Sequence, residues 1–283
     1  MASAAHTLAD RTVADSSSND AGQTSPQWMG FKSSGVDHRA HKPQAGTDMN
    51  VFILLLASAL ADAPEDLEIA SSKDVSDAVR MEAFERLVSL GSTDMAYVSE
   101  ISQSEAADTR LRWVAIRALG QIKGDRARNL LISLSEDPQP AIRTAACGAM
   151  GDFGHEDFVP YLVRLVQDPA VIVRATATQS LSSMGDERAI EALSNALQDK
   201  KNTFRGQSIW VRKYFVEALG GIGSKKGYPA LLRVIDDADA AVAGAVIPAL
   251  ESIAGFSYKE GRSETQEREA WRRFLSNELR TTR

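Results

Sequence analysis

The sequence predicts an all-α chain, an α-solenoid of about six helical repeats with a C-terminal capping helix. Three observations predict it: a recurring aliphatic-Arg step, an apolar face at helical spacing, and glycines that punctuate the pattern. The step aligns Val79-Arg80, Leu111-Arg112, Ile142-Arg143, Val173-Arg174 and Val211-Arg212. A sixth member, Val242-Ala243, has lost the Arg. The intervals are 32, 31, 31, 38 and 31 residues, a period in the range of helical repeat arrays.

Each aligned segment continues as one helix face. Four residues after the aliphatic position stand Ala83, Ala115, Ala146, Ala177, Phe215 and Val246, and eight after it Leu87, Leu119, Met150, Leu181, Leu219 and Leu250. Offsets of 0, 4 and 8 share one side of a helix. Gly91, Gly124, Gly154, Gly185 and Gly223 follow as C-terminal stops. Further apolar sets then appear: Leu130, Leu131 and Leu134; Val159, Leu162, Leu165 and Val166; Ile190, Leu193 and Leu197; Leu231, Leu232 and Ile235. The unit is thus a helix pair of about 31 residues. One pair cannot bury its own apolar face, so pairs must stack.

Composition agrees. Of 283 residues, 43% are hydrophobic but only 6% aromatic, which suits closely packed helices better than a β-sandwich. The net charge of −6 disfavours nucleic acid as a partner, because neutralising phosphates needs clustered Lys and Arg. A single cysteine, Cys147, excludes an internal disulfide and reads as a small packing residue.

The chain divides into five zones. Residues 1–48 are a polar tail without apolar periodicity, expected to be disordered or not translated at all. Residues 49–63 hold the uncharged run MNVFILLLASALA. It is too short to span a bilayer. It fits a secretory h-region with Ala59-Leu60-Ala61 as the cleavage motif; the alternative is a buried first helix or N-terminal cover of the solenoid. The first reading makes the protein periplasmic or secreted; otherwise it is cytoplasmic. Residues 64–73 are a linker, 74–256 the solenoid, and 257–283 a polar turn and a capping helix that docks Trp271 and Phe274 on the last repeat.

The run from Leu111 to Asp125, LRWVAIRALGQIKGD, resembles bacterial HEAT repeats, the group named for the phycobilin-lyase HEAT-like repeat. The resemblance covers about residues 74–256. It implies an armadillo-like helical scaffold, and a function among adaptors, scaffolds, regulators and lyase subunits, which share the fold. It also implies that the Arg column and an Asp six residues earlier (Asp74, Asp137, Asp168) link neighbouring repeats. That column breaks at Ala106, Gly206 and Ala243.

No catalytic set is apparent. His155 is the only histidine in the repeats. Its pairing with Glu156 is one dyad, whereas HEAT-repeat hydroxylases that bind two irons carry four. The segment from Gly220 to Gly227 lacks the phosphate-loop spacing and follows a helix. The expectation is therefore no enzyme activity, no cofactor and no metal, and a protein or peptide as partner. The alternative is a cytoplasmic enzyme subunit of the phycobilin-lyase type.

The binding surface is expected on the concave face, at offsets 2, 3 and 6 of the aligned helices. These offsets nominate Trp113 and Arg117, Thr144, Thr176 and Gln179, then Lys213, Tyr214 and Glu217. Trp113 and Tyr214 are the aromatic anchors, unless Trp113 is an edge residue of the core. The long fifth interval places Lys200 and Lys201 in a surface insert, where they form a basic patch with Lys213, Lys225 and Lys226.

Overall fold

The computed structural model describes residues 63–91, 95–204 and 207–281. They form six helix pairs and a final helix. The pairs are α1 (Ala63–Ser71) with α2 (Asp77–Ser89), α3 (Met95–Gln103) with α4 (Thr109–Ile122), and α5 (Asp125–Leu134) with α6 (Pro140–Phe153). Then come α7 (Val159–Leu165) with α8 (Val171–Met184), α9 (Ile190–Gln198) with α10 (Val211–Ile222), and α11 (Tyr228–Arg233) with α12 (Ala240–Ala254). The final helix is α13 (Glu264–Thr281).

Residues 64–73 are not a linker. Ala63–Ser71 is helical because Ala63, Leu67 and Ala70 recur at helical spacing, and all three are buried. Helix α1 packs on α2 and α4. The apolar run over 49–61 lies outside the described residues.

The second helices of the pairs stack in sequence, α4 on α6, α6 on α8, α8 on α10 and α10 on α12. Their shared face is the one the periodicity marks: Ile142, Ala146 and Met150, Val173, Ala177 and Leu181, and Val211, Phe215 and Leu219 are fully buried. Val79 in the terminal repeat is 43% exposed. Small residues set how closely the row packs. A Cβ on Gly120 would lie 2.6 Å from the Ala149 carbonyl oxygen, and one on Gly220 would lie 2.6 Å from Ala149's counterpart, the Ala249 Cα. Neither position has room for a side chain.

Gly154, Gly185, Gly223 and Gly255 end their helices in the left-handed conformation. The second repeat differs from expectation. Lys123 takes the positive φ of 64° at the end of α4, and Gly124 is instead the N-cap of α5. With ψ of −165° the residue lies in an extended positive-φ region that glycine favours, at a cost of about 1–3 kcal/mol.

Arg and Asp link the repeats along one edge. Arg112 Nη2 donates to Asp137 at 2.6 Å. Arg143 grips Asp168 through Nε and Nη2 at 2.8 and 2.9 Å, and Arg212 grips Asp237 at 3.1 and 2.6 Å. Each Arg reaches the Asp 25 residues downstream, so the rung joins one repeat to the next. The two-point geometry is the strong form of an ion pair. The bond to Asp168 holds the Arg143 guanidinium above its ordinary pKa. Burial works against the charged form of Asp237, but Arg212 and the Asp239 amide outweigh it and hold that carboxyl below the usual range. The Asp column does not end at Gly206. Asp199 accepts from the Lys201 amide at 2.9 Å, as Asp137, Asp168 and Asp237 accept from the amide two residues on. The insert lies between Asp199 and Arg212, which hides this member of the column from sequence spacing.

The insert contains a minimal antiparallel hairpin, with Thr203 opposite Ser208 and Phe204 opposite Gln207. It is the only strand pairing among the described residues. Asn202 anchors it from beneath, fully buried, donating Nδ2 to the Ala196 carbonyl at 2.8 Å and accepting from Ile209 through its own carbonyl at 2.8 Å.

Helix α13 covers the last repeat, packing on α11 and α12. Trp271 and Leu275 are fully buried and Phe274 half-buried. Trp271 stacks on Phe256 with centroids 5.2 Å apart, and Tyr258 and Phe274 meet it edge-on at 5.0 and 5.6 Å. Lys225–Glu278 at 3.2 Å and Arg272–Asp236 tie the helix down at its rim.

Two outcomes follow from this packing. Trp271→Ala should cost about 3–5 kcal/mol, the usual range for emptying a buried Trp site, read as an earlier midpoint in urea. Cys147 is fully buried, and burial pushes its thiol far above the ordinary value. It should stay unmodified by a thiol reagent at pH 8 until denaturant is added, because the thiolate is the reacting form. Rapid labelling of the native protein would contradict this core.

Candidate functional site

The row α4, α6, α8, α10 and α12 leaves one face uncovered by the first helices of the pairs. On that face the structure arranges the expected residues unevenly. Arg117 projects from α4, pairs with Asp152 of α6, and lies over Gly148. A Cβ on Gly148 would come within 2.6 Å of Nη1 of Arg117, so the glycine makes the crossing possible. The Arg117 guanidinium also sits 5.6 Å from the Trp113 ring centroid, a cation–π distance. Trp113 is half-buried and packs against the core.

In the middle of the row, Gln179 is exposed. Thr176 is half-buried, with Oγ1 donating to the Ile172 carbonyl at 3.0 Å. Thr144 is buried, and its hydroxyl donates to the Pro140 carbonyl at 2.8 Å. It therefore offers no polar group to a partner. The neighbouring Ala145 and Ala175 are buried as well. On α6, offsets 2 and 3 face adjacent helices in this tightly spaced row, and so Thr144 and Ala145 leave the surface.

On α10, Lys213 and Glu217 are exposed and paired at 3.2 Å. Tyr214 is half-buried and meets Trp210 edge-on at 5.5 Å. Beyond them a groove of about 620 Å³ runs between α10 and α12, with Gly220, Gly221, Gly244 and Pro248 in its lining beside Lys213 and Glu217.

The spacing rule missed the next position along each helix. Offset 10 places Gln121, Asp152, Ser183, Gly221 and Ser252 on the same side as offset 6, and all but half-buried Asp152 are exposed. The signal was available: 6 and 10 are one helical turn apart.

The basic patch does not assemble as expected. Lys200 and Lys201 precede α10, whereas Lys225 and Lys226 follow it, so a 12-residue helix about 18 Å long lies between the two pairs. Lys226 pairs with Glu187 at 2.5 Å and Lys225 with Glu278. Lys213 is engaged with Glu217.

His155 serves local structure. Its Nδ1 accepts from the Asp157 amide at 3.2 Å, and its ring meets Phe153 and Phe158 edge-on. Among the described residues no group of three or more His, Cys, Asp or Glu could hold a metal ion. No helix among them is long and apolar enough to cross a membrane.

Comparison with known proteins agrees with the fold. A HEAT repeats family model matches residues 99–170 and 130–210, and the PBS lyase HEAT-like repeat model matches residues 211–237. A chain from the complex of CpcE and CpcF of phycocyanin lyase, from Nostoc sp. PCC7120, is 26% identical with a TM-score of 0.50. That match covers 57% of this chain and 65% of the other, so it spans less than two thirds of the relative. An engineered protein is 20% identical with a TM-score of 0.44, covering 74% and 98% of the two chains. A designed armadillo repeat protein in complex with the peptide (KR)4 is 17% identical with a TM-score of 0.42, covering 68% and 99%. No curated protein sequence matches the chain. The repeat period, the stacked helix pairs and these matches together make the chain an α-solenoid of HEAT-like repeats, with residues 99–210 similar to HEAT repeats and residues 211–237 similar to the PBS lyase HEAT-like repeat.

Proposed function

We propose that this protein is an interaction scaffold that holds a polypeptide segment of another protein on the face of the α4–α10 row. The observation that carries the reading is a run of Arg117, Gly148, Gln179, Lys213 and Glu217 over consecutive helices, with half-buried Trp113 and Tyr214 at its two ends. Three helix steps span roughly 24–30 Å at ordinary packing distances, enough for a short helix or an extended segment. Aromatic and Arg side chains at the ends supply the anchoring chemistry enriched at interface hot spots. The double variant Trp113→Ala, Tyr214→Ala should lose the partner captured by the wild type from its native cell. Its melting temperature should stay within roughly 8 °C, the shift that a loss of about 2 kcal/mol gives in a domain of this size. Global unfolding of the variant would assign both aromatics to the core and remove the proposal.

A second reading has its own support. The phycocyanin-lyase relative is an enzyme component, so a subunit role in a lyase-type enzyme is the alternative. It differs in one readout: visible absorbance of a bound bilin should appear on mixing with that pigment, whereas a peptide scaffold leaves the pigment spectrum unchanged.

We also propose that residues 49–61 direct export, with the mature chain beginning near Asp62. N-terminal sequencing of native protein should find that start. Intact residues 1–61 on protein recovered from the cytoplasm would reject it.

A further inference from the structure

The fifth repeat departs from its neighbours in two linked ways. It carries the hairpin insert, and it lacks a rung of the Arg–Asp ladder. Three rungs join an Arg to the Asp 25 residues downstream. A further such pairing would join Arg174 to Asp199. Arg174 is 4% exposed. Its Nη1 donates to the Asp168 and Pro169 carbonyls at 2.8 and 3.1 Å, yet its Nε has no partner. Burial lowers its pKa, the opposite direction from Arg143 in the same column. Asp168 and Asp199 attract it only at a distance, and a buried cation without a direct carboxylate bond is costly.

Asp199 occupies the equivalent place in the chain but is engaged elsewhere. Its second carboxylate oxygen faces Lys201 Nζ at 3.5 Å, and that ammonium also reaches the Gln167 carbonyl at 3.4 Å. The insert thus brings a lysine ammonium to within 3.5 Å of the carboxylate the ladder would use. The local charge balance changes accordingly. Arg143 with Asp168 and Arg212 with Asp237 cancel. Arg174, Lys200 and Lys201 remain against Asp199 alone, three positive charges against one negative. This excess sits in a chain of net charge −6. Lys200 and Lys201 are both exposed, and Phe204 on the adjoining strand is 66% exposed.

We propose that the insert of the fifth repeat is a docking surface for an acidic polypeptide segment, whose carboxylates take Lys200 and Lys201 and release Asp199 to close the rung with Arg174. The proposal rests on the scaffold reading and names a partner chemistry for a second surface of the same chain. Charge complementarity selects the occupant. An acidic segment meets a local positive excess. Two exposed lysines are too few for a nucleic-acid track, whose affinity grows with the number of phosphates neutralised. Docking has a structural consequence as well. The partner's carboxylates replace Asp199 at Lys201, and the freed Asp199 supplies the missing partner of a buried guanidinium. Binding at the surface therefore orders the junction between the fourth and fifth repeats.

The test uses the full chain and a dye-labelled peptide of ten glutamates, followed by fluorescence anisotropy at low salt, with amide hydrogen exchange over residues 170–174 and 199–202. The wild type should bind. K200E/K201E should bind at least roughly tenfold more weakly, and about 0.15 M salt should weaken the wild type, as expected for exposed charges. The peptide should slow exchange at both segments. K201M, which removes the competitor for Asp199, should slow it without peptide. The Trp113→Ala, Tyr214→Ala variant should keep the peptide, which separates this surface from the face of the helix row. Equal binding by K200E/K201E, tighter binding of a ten-nucleotide single-stranded DNA than of the peptide, or unaltered exchange in K201M would each overturn the proposal.

Discussion

The rest of this structure depends on the inability of a single helix pair to bury its own apolar face. Each second helix carries a stripe such as Ile142, Ala146 and Met150, which leaves water only when neighbouring pairs close over it. Glycine and alanine then decide how close that closure is. Gly120 against Ala149 and Gly220 against Ala249 bring helix backbones into near contact, and dense packing of this kind contributes many small dispersion gains. The order of every repeat is thus inherited from its neighbours. At the C-terminal end α13 buries Trp271, whereas Val79 and Met81 are exposed in the first described repeat.

The polar ladder plays a different part. Its rungs lie at the turns between repeats and include Arg112, only 2% exposed. Desolvating two charges offsets much of their attraction, so such pairs contribute little net stability. They do penalise misalignment, because a slipped repeat would strand a buried charge. Where the insert diverts Asp199, that constraint is relaxed at the junction of the fourth and fifth repeats, and the apolar stacking of α8 on α10 continues past it. Local order and overall fold are therefore governed by different interactions in this chain.

Stacking also determines where a partner has access. Packing consumes offsets 0, 4 and 8, and the close spacing of the row consumes Thr144, Ala145 and Ala175 besides. What remains outward is the line through Arg117, Gly148, Gln179 and Glu217 and the positions one turn further on. The family resemblance explains the scaffold that makes this line. The fold alone does not assign it a ligand, since solenoids of this kind serve unrelated functions.

By itself, the sequence determined the repeat, its period, the buried stripe and the glycine stops, because each is a local property of helix geometry. The C-terminal helix was legible for the same reason, with Trp271, Leu275 and Leu279 falling at helical spacing. Other features were settled only in three dimensions. Residues 64–73 read as a linker because α1 is short and carries a weak pattern, and only its burial against α2 and α4 makes it a helix of the core. Thr144 looked available because offset rules treat a helix as isolated, whereas the Gly- and Ala-spaced row covers its flank. Lys200 and Lys201 looked continuous with Lys225 and Lys226 because charge was counted along the chain, and a 12-residue helix holds the two pairs apart. Asp199 was hidden by an insert that shifts its spacing from Arg212. Tertiary contacts decided each of these points, because each depends on which neighbour a side chain meets and not on the helix that carries it.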